Sequence, residues 1–174
     1  MGRTAGRPAK IREVADYLAS IRADLDTPRS LDEIDETEFD LVFYPGGHGP
    51  MEDLAFDPVS GALLTRRLAS GRPLALLCHS PAASLAARNE DGSWPFAGYR
   101  MTGLSNAEER LNMFGWKASW YLEDPLKENG ADYSKALLPL HPYVVVDRNL
   151  YTGQNPFSSE QLAERIVADV SGGS

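Results

Sequence analysis

The stretch that decides the fold reads Arg72-Pro-Leu-Ala-Leu-Leu-Cys78-His79-Ser80-Pro81-Ala-Ala. Its apolar run starts after Gly71 and ends in the only cysteine of the chain, which is typical of a buried parallel strand. The segment that follows, Ser80 to Arg88, is rich in alanine and leucine and has a proline near its start, a pattern that predicts a helix. The sequence therefore places Cys78 at a sharp turn from strand to helix.

A turn of this kind lifts a nucleophile out of the sheet in hydrolase-type elbows. The thiol also faces the start of the predicted helix, whose dipole favours a thiolate. His79 supplies an imidazole at the next position. A lone cysteine is more often a small buried side chain, but the elbow favours a reactive thiol. We expect Cys78 to be the nucleophile and His79 to be its base.

Composition excludes several classes of protein. The 174 residues are 43% hydrophobic and 24% charged, which indicates one globular domain with a core of its own. The net charge of -8 argues against nucleic acid as the main partner. One cysteine rules out an intrachain disulfide, and no spacing of cysteine and histidine suggests a zinc site. No apolar run reaches the roughly 20 residues of a membrane helix, and no secretion signal is visible. We expect a cytoplasmic protein without metal, cofactor or membrane partner.

Apolar runs alternate with helical patterns along the chain, and this alternation predicts an α/β domain with a parallel sheet. Residues 1–29 are predicted to form a tail and a helix, of which residues 1–9 are disordered. Residues 30–174 are predicted to form the domain. Parallel strands are expected at 40–44, 73–77, 99–102 and 143–147. Helices are expected at 11–25, 58–69, 80–88, 116–129 and 158–170.

The loop Pro45-Gly46-Gly47-His48-Gly49 follows the first predicted strand, so it reaches the same edge of the sheet as the cysteine. In open α/β sheets this edge binds ligands. Because glycines let backbone N–H groups point into a site, Gly46 and Gly47 suit an oxyanion hole together with the His79 N–H. The alternative is a plain tight turn, with His48 as a surface histidine instead of a site residue.

The acid that orients the histidine is expected after another strand. The segment Thr102-Gly-Leu-Ser-Asn-Ala-Glu-Glu109 follows such a strand, and Glu109 is our candidate, with a solvated first-turn carboxylate as the alternative. Ser105-Asn-Ala-Glu108 has the form of a capping box. Near the end of the chain, Gln154 and Asn155 either position a substrate or satisfy backbone groups of their loop.

Four of these motifs together resemble the ThiJ/PfpI superfamily. They are Phe43-Tyr-Pro-Gly-Gly-His-Gly-Pro-Met-Glu-Asp-Leu54, Cys78-His-Ser-Pro-Ala-Ala83, Thr102-Gly-Leu-Ser-Asn-Ala-Glu-Glu109 and Thr152-Gly-Gln-Asn-Pro156. More narrowly, the chain is similar to the class I glutamine amidotransferase-like branch, which contains heat-shock chaperones and glutathione-independent glyoxalases. The resemblance runs from about residue 30 to 170. It implies a flavodoxin-like three-layer sandwich with a mainly parallel sheet, often assembled as a homodimer.

The resemblance also implies a catalytic site of Cys78, His79 and Glu109, with Gly46 and Gly47 as oxyanion-hole glycines. It implies an enzyme of glyoxalase III or deglycase type that acts on reactive aldehydes such as methylglyoxal. Two other classes stay open. One is a stress-related chaperone or redox-sensing protein with unfolded clients, and the other is an amidase or peptidase-like hydrolase.

The chain departs from the pattern of this family at two points. Ser80 stands where the family has a glycine, and we expect it to narrow the pocket. The family also opens with a strand and a Gly-rich turn bearing a glutamate that hydrogen-bonds the nucleophilic sulfur. No such strand precedes residue 30, and Glu13 has no matching motif around it. We therefore expect this chain to lack a central strand and to show little or no glyoxalase activity.

Overall fold

The computed structural model describes residues 8–111 and 118–172. The chain divides into two compact units between Ile34 and Asp35. None of the helices in the described residues is long and apolar enough to cross a bilayer.

The first unit contains short helices only, within its described residues. They are α1 (Pro8–Ser20), α2 (Arg22–Asp26) and a 3-10 helix at Leu31–Glu33. The single helix predicted over 11–25 is thus two helices, because the backbone of Ile21 (φ -104°, ψ 16°) is not helical. Of the tail predicted as disordered, residues 1–7 lie outside the described residues, and Pro8 already begins α1.

The second unit alternates strands with helices over its described residues. The strands are β1 (Val42–Tyr44), β2 (Leu74–Leu77), β3 (Arg100–Met101), β4 (Asp132–Tyr133), β5 (Val144–Asp147) and β6 (Leu150–Gly153). The α-helices are α3 (Gly49–Glu52), α4 (Pro58–Ala69), α5 (Asn106–Leu111), α6 (Glu123–Glu128) and α7 (Ser159–Ser171). Three 3-10 helices lie at Glu36–Glu38, Ser80–Ala86 and Pro156–Ser158.

Four strands form an open sheet in the order β1-β2-β6-β5. The first three strands run parallel, with Val42 of β1 opposite Leu74 of β2. The parallel pairing predicted for 40–44 and 73–77 is confirmed. All four residues of β2 are buried, because this strand has a neighbour on each side and helices on both faces.

Helices lie on both faces of the sheet. On one face, α7 packs through Leu162 against Ala75 and Leu77 of β2. On the other face, Tyr44 of β1 shares a 3.0 Å hydrogen bond with Ser60 of α4. The result is the three-layer α/β arrangement with a mainly parallel sheet that the sequence predicts.

The strand predicted at 143–147 is present, but its predicted parallel orientation is wrong. β5 pairs antiparallel with β6, with Asp147 opposite Leu150. Only Arg148 and Asn149 connect the two strands, and a two-residue connection can join antiparallel strands only. Arg148 takes the positive φ (54°) that such a tight turn requires.

The strand predicted at 99–102 is present as β3 and its pairing is parallel, but its partner is β4 in a separate two-stranded sheet. Directly after β3, the Thr102 N–H donates to the Thr152 side chain at 3.0 Å. The segment predicted as a helix at 80–88 is a 3-10 helix, Ser80–Ala86. The helix predicted over 116–129 is confirmed as the shorter α6, and residues 116–117 lie outside the described residues.

Arg67 is a buried cation that ties α4 to the segment leading into the sheet. The side chain is 1% exposed. Its guanidinium donates to four backbone carbonyls, those of Glu36, Phe39, Asp40 and Pro73, at 2.6–3.1 Å. The Pro73 carbonyl also accepts from the Val42 N–H at 3.2 Å, whereas the carbonyls of Glu36, Phe39 and Asp40 lie outside the strands and take the arginine as donor.

Replacing Arg67 with methionine is expected to lower the free energy of unfolding by about 3–5 kcal/mol, because it keeps the apolar stem but removes the hydrogen bonds to four carbonyls, of which that of Pro73 keeps the Val42 N–H as a donor. Urea denaturation followed by circular dichroism measures this change. The matched control is Arg165→Met, which removes an exposed pair with Asp169 and should cost about 1 kcal/mol or less. Equal losses in the two variants would contradict the role given to Arg67.

Candidate active site

Cys78 lies directly after β2 in a strained backbone conformation. Its φ is +61°, a region that residues with a side chain rarely adopt. Two hydrogen bonds fix it there: its N–H donates to the Gly153 carbonyl at 2.8 Å, and its carbonyl accepts from the Leu104 N–H at 2.9 Å. Strain that is held in place by its surroundings is a feature of functional sites, and here it turns the thiol away from the strand.

Ser80 stabilises this turn through hydrogen bonds to the backbone of the sheet. Its hydroxyl accepts from the Leu77 N–H at 2.7 Å and donates to the Tyr44 carbonyl at 2.7 Å, and the residue is fully buried. The hydroxyl therefore connects the ends of β1 and β2. This corrects the expectation that Ser80 narrows the pocket, because its polar group is bound to the backbone of the sheet.

Cys78, His79 and Glu109 form a continuous hydrogen-bonded row. The thiol sulfur lies 3.2 Å from His79 Nδ1, and His79 Nε2 lies 2.6 Å from Glu109 Oε2. All three residues are at most 6% exposed. Because Nε2 faces a carboxylate it carries the ring proton, which leaves Nδ1 free to accept the thiol proton. The structure thus brings together the three residues that the sequence nominates for catalysis.

His48 lies on the other side of the same carboxylate. Its Nε2 is 3.1 Å from Glu109 Oε1, and its ring centroid is 4.1 Å from that of His79. The side chain of His48 is 44% exposed, whereas that of Glu109 is 2% exposed. His48 therefore lies between the buried row and solvent, at the mouth of the site.

The two glycines of the loop after β1 approach the sulfur closely. A Cβ at Gly46 would lie 2.6 Å from the Cys78 Cβ, so the position admits only glycine without displacement of the elbow. Gly47 has a φ of +110°. The backbone N–H groups of Gly47 and His79 favour a negative charge on the sulfur. The sequence predicts an oxyanion hole from Gly46 and Gly47 with the His79 N–H, and Gly47 and His79 are the two of these that act on the sulfur.

At neutral pH one of the three ionisable groups of the row is charged and two are neutral. Burial raises the pKa of the Cys78 thiol to about 11, although the Gly47 and His79 amides oppose this. Burial also lowers the pKa of His79 despite its bond to Glu109. Burial favours the neutral form of Glu109 as well, but the hydrogen bonds from His79 and His48 outweigh it and hold its pKa below the usual value. The site therefore holds a thiol, a neutral imidazole and a carboxylate.

The protonated thiol contradicts the sequence-based expectation of a thiolate. The expected helix dipole is weak here, because the segment after Cys78 is a 3-10 helix of seven residues. Cys78 is only 6% exposed, and the loss of hydration raises the pKa of its thiol by more than the helix dipole and the two amides lower it.

Alkylation of Cys78 by iodoacetamide at pH near 7.5 is expected to be at least about 10²-fold slower than that of a free cysteine, and to rise with pH up to about 11. The reason is that only the thiolate reacts. The rate is measured by mass spectrometry, and the urea-unfolded chain serves as control because it contains a single cysteine. A rate that is already constant between about pH 6 and 8 would show a preformed thiolate and contradict the prediction.

Glu108 is a buried carboxylate with a structural role, of which the sequence predicts only one part. Its oxygens accept hydrogen bonds from the Ser105 N–H and hydroxyl, the Leu140 N–H and the side-chain amides of Gln154 and Asn155. The capping box predicts only the contact with Ser105. The sequence does not predict that the two amides bind this carboxylate. They also bind backbone groups, since the Gln154 oxygen accepts from the Ala136 N–H and the Asn155 amide donates to the His141 carbonyl. These donors hold the pKa of Glu108 below its usual value although burial opposes them.

Comparison with known proteins agrees with this geometry. A profile of the DJ-1/PfpI family matches residues 13–169. The chain belongs to the DJ-1/PfpI family. The resemblance to the ThiJ/PfpI superfamily and the flavodoxin-like α/β fold are thereby confirmed, and the match begins before residue 30, from which the sequence predicts the resemblance.

This chain is similar to curated relatives and to a solved structure. The human glutamine amidotransferase-like class 1 domain-containing protein 1 is 32% identical over 142 residues, which cover 81% of this chain and 64% of the relative. The Escherichia coli protein/nucleic acid deglycase HchA is 29% identical over 163 residues, 91% of this chain and 52% of the relative. The chain thus spans less than two thirds of either relative.

The structure of the Francisella tularensis rapid encystment protein 24 KDa superposes with a TM-score of 0.83 at 28% identity. The superposition covers 90% of this chain and 70% of that one. The α/β core described above is therefore shared with that protein.

Proposed function

We propose that this chain carries a cysteine-dependent site for small reactive aldehydes such as methylglyoxal. The observation that supports it is the hydrogen-bonded row from the Cys78 thiol through His79 to Glu109, with two backbone amides at the sulfur. A thiol beside a neutral imidazole suits addition to an electrophilic carbonyl, because the proton must leave as the bond forms. The similarity to a deglycase supports the same substrate class.

The first step is the addition of the thiol to the aldehyde. The sulfur of Cys78 forms a bond to the aldehyde carbon, and the thiol proton passes to His79 Nδ1, 3.2 Å away. The carbonyl oxygen becomes an alkoxide, which the N–H groups of Gly47 and His79 are placed to stabilise. Return of the proton to this oxygen gives a neutral hemithioacetal. Glu109 keeps the ring oriented and stabilises its transient positive charge.

Completion of the reaction converts the hemithioacetal of methylglyoxal into lactate. The proton on the former aldehyde carbon moves to the neighbouring carbonyl carbon by way of an enediol, which gives a thioester of the hydroxy acid. Water then cleaves the thioester and restores the thiol, so the aldehyde carbon is oxidised and its neighbour reduced with no external oxidant. The sum is methylglyoxal plus water to lactate.

The conversion of the hemithioacetal into lactate has less support from the residues around the sulfur than the addition has. Within the described part of the chain, the sulfur has a hydrogen bond to the His79 ring nitrogen and none to a carboxyl group. General acid–base help is typically worth about 10²–10⁴-fold. We therefore expect addition to be faster than completion, so that the hemithioacetal accumulates and lactate forms slowly.

Incubation with methylglyoxal, and separately with a chromogenic amide, tests this function. We expect protection of Cys78 from alkylation by the aldehyde, slow formation of lactate, and no cleavage of the amide. The control is His141→Asn, since His141 is exposed and outside the row. Amide cleavage without any protection by the aldehyde would support the hydrolase alternative and contradict the aldehyde proposal.

Burial of Cys78 argues against the redox-sensing alternative. Oxidation by peroxide follows thiolate character and exposure, and Cys78 has little of either. A buried thiol with a raised pKa is expected to stay reduced in mild peroxide, as measured from the mass of the intact chain.

The homodimer, the unfolded clients and the cytoplasmic location stay predictions. Size-exclusion chromatography with light scattering measures the first. Suppression of client aggregation that survives in Cys78→Ala would support the chaperone alternative, since that activity would not need the thiol.

A further inference from the structure

We propose that His48, His79 and Glu109 form a binding site for a divalent transition-metal ion, with zinc as the best fit. One ligand atom from each of the three side chains lies within 4.8 Å of the other two. The Nε2 atoms of His48 and His79 approach the two oxygens of one carboxylate, at 3.1 and 2.6 Å. The three residues come from three separate segments, the loop after β1, the turn after β2 and helix α5, which is why the spacing in the sequence predicts no metal.

The donor set fits the chemistry of zinc. Two imidazole nitrogens and one carboxylate oxygen are the ligands of open zinc sites, in which water completes the tetrahedron. Ligand atoms of a tetrahedral zinc ion lie about 3.4 Å apart, so the 2.6 Å contact between His79 and Glu109 has to lengthen by roughly 0.8 Å. The 3.1 Å contact of His48 needs less adjustment.

Two of the three proposed ligands are buried and the third is partly exposed, which gives an ion a path from solvent. The side chains of His79 and Glu109 are 4% and 2% exposed, so two of the ligands are buried. The side chain of His48 is 44% exposed and forms the outer wall. An ion can therefore reach the carboxylate by displacing the His48 ring by a small amount.

The thiol is a neighbour of this site and not a ligand. The sulfur contacts Nδ1 of His79, on the opposite side of the ring from Nε2, and it does not belong to the group of converging ligand atoms. A metal on Nε2 uses the lone pair there, so the ring proton has to sit on Nδ1 and points at the sulfur. In that state His79 cannot accept the thiol proton, and we expect the metal to block addition to aldehydes.

Titration of the protein with Co²⁺, followed by visible absorption, tests the site without any assay of activity. We expect one ion per chain, the absorption bands of four-coordinate cobalt, and no charge-transfer band from a thiolate. His48→Asn, a change at a half-exposed position, should weaken binding by at least about tenfold. Cys78→Ser and the control His141→Asn should bind as the wild type does.

Cobalt binding that is absent, that survives His48→Asn unchanged, or that is lost in Cys78→Ser or His141→Asn would overturn the proposal. The inhibition has its own measurement: one equivalent of Zn²⁺ should abolish protection of Cys78 by methylglyoxal, and a chelator should restore it. The metal site does not rest on the aldehyde function. Loss of cobalt binding with intact addition of the aldehyde would remove the metal site alone.

Discussion

Replacement of Cys78 with serine is expected to abolish hemithioacetal formation and to lower the rate of lactate formation by at least about 10³-fold. The hydroxyl of serine is nearly the same size as the thiol but is a much weaker nucleophile, and a single imidazole at 3.2 Å does not compensate for that. The rate is measured enzymatically as lactate formed from methylglyoxal at saturating concentration.

The Cys78 variant keeps the elbow, so the loss of rate can be separated from a loss of fold. The strain at φ +61° is fixed by backbone contacts to Gly153 and Leu104, which serine retains. We expect its melting temperature to stay close to that of the wild type and of His141→Asn. Equal turnover in wild type and Cys78→Ser would exclude a mechanism that depends on the thiol.

Replacement of Glu109 with glutamine is expected to slow addition and turnover by about 10²–10⁴-fold. The amide group of glutamine can donate to His79 Nε2, which moves the ring proton to Nδ1 and leaves no acceptor for the thiol proton. Glu109 does not reach the substrate and acts as a positioning residue. Its effect is measured as the rate at which methylglyoxal protects Cys78 from alkylation.

The pH profile distinguishes positioning by Glu109 from a merely structural role. Glu109 raises the pKa of His79, against the larger effect of burial. Its loss is therefore expected to lower that pKa further, so the acidic limb of the rate profile moves to lower pH. Glu109→Asp, which keeps the charge, should restore part of the rate. An unchanged profile in Glu109→Gln would contradict the role given to this carboxylate.

The nucleophile elbow could be predicted because its signals are local. An apolar run that ends in Cys78 and is followed by Ser80-Pro81 fixes both the strand and the turn. The loop with Gly46 and Gly47 was predictable for the same reason, since the strand before it is parallel to β2 and must end at the same edge.

The parts that could not be predicted depend on tertiary contacts. The charge state of Cys78 is decided by desolvation, which no pattern of residues near it reports. The orientation of β5 followed from the two-residue turn at Arg148 and Asn149, a signal present in the sequence that the alternation of strands and helices overrode. The five donors around Glu108 come from three loops and carry no signature beyond the capping box.

The measurement that tests the central claim most directly is a ¹³C spectrum of methylglyoxal, labelled at the aldehyde carbon, with the protein. If the row of Cys78, His79 and Glu109 adds aldehydes, the wild type will show a new resonance of a tetrahedral carbon bonded to sulfur, which decays slowly as labelled lactate appears. Cys78→Ser will show only the hydrated free aldehyde. A wild-type spectrum identical to that of folded Cys78→Ser would contradict the claim.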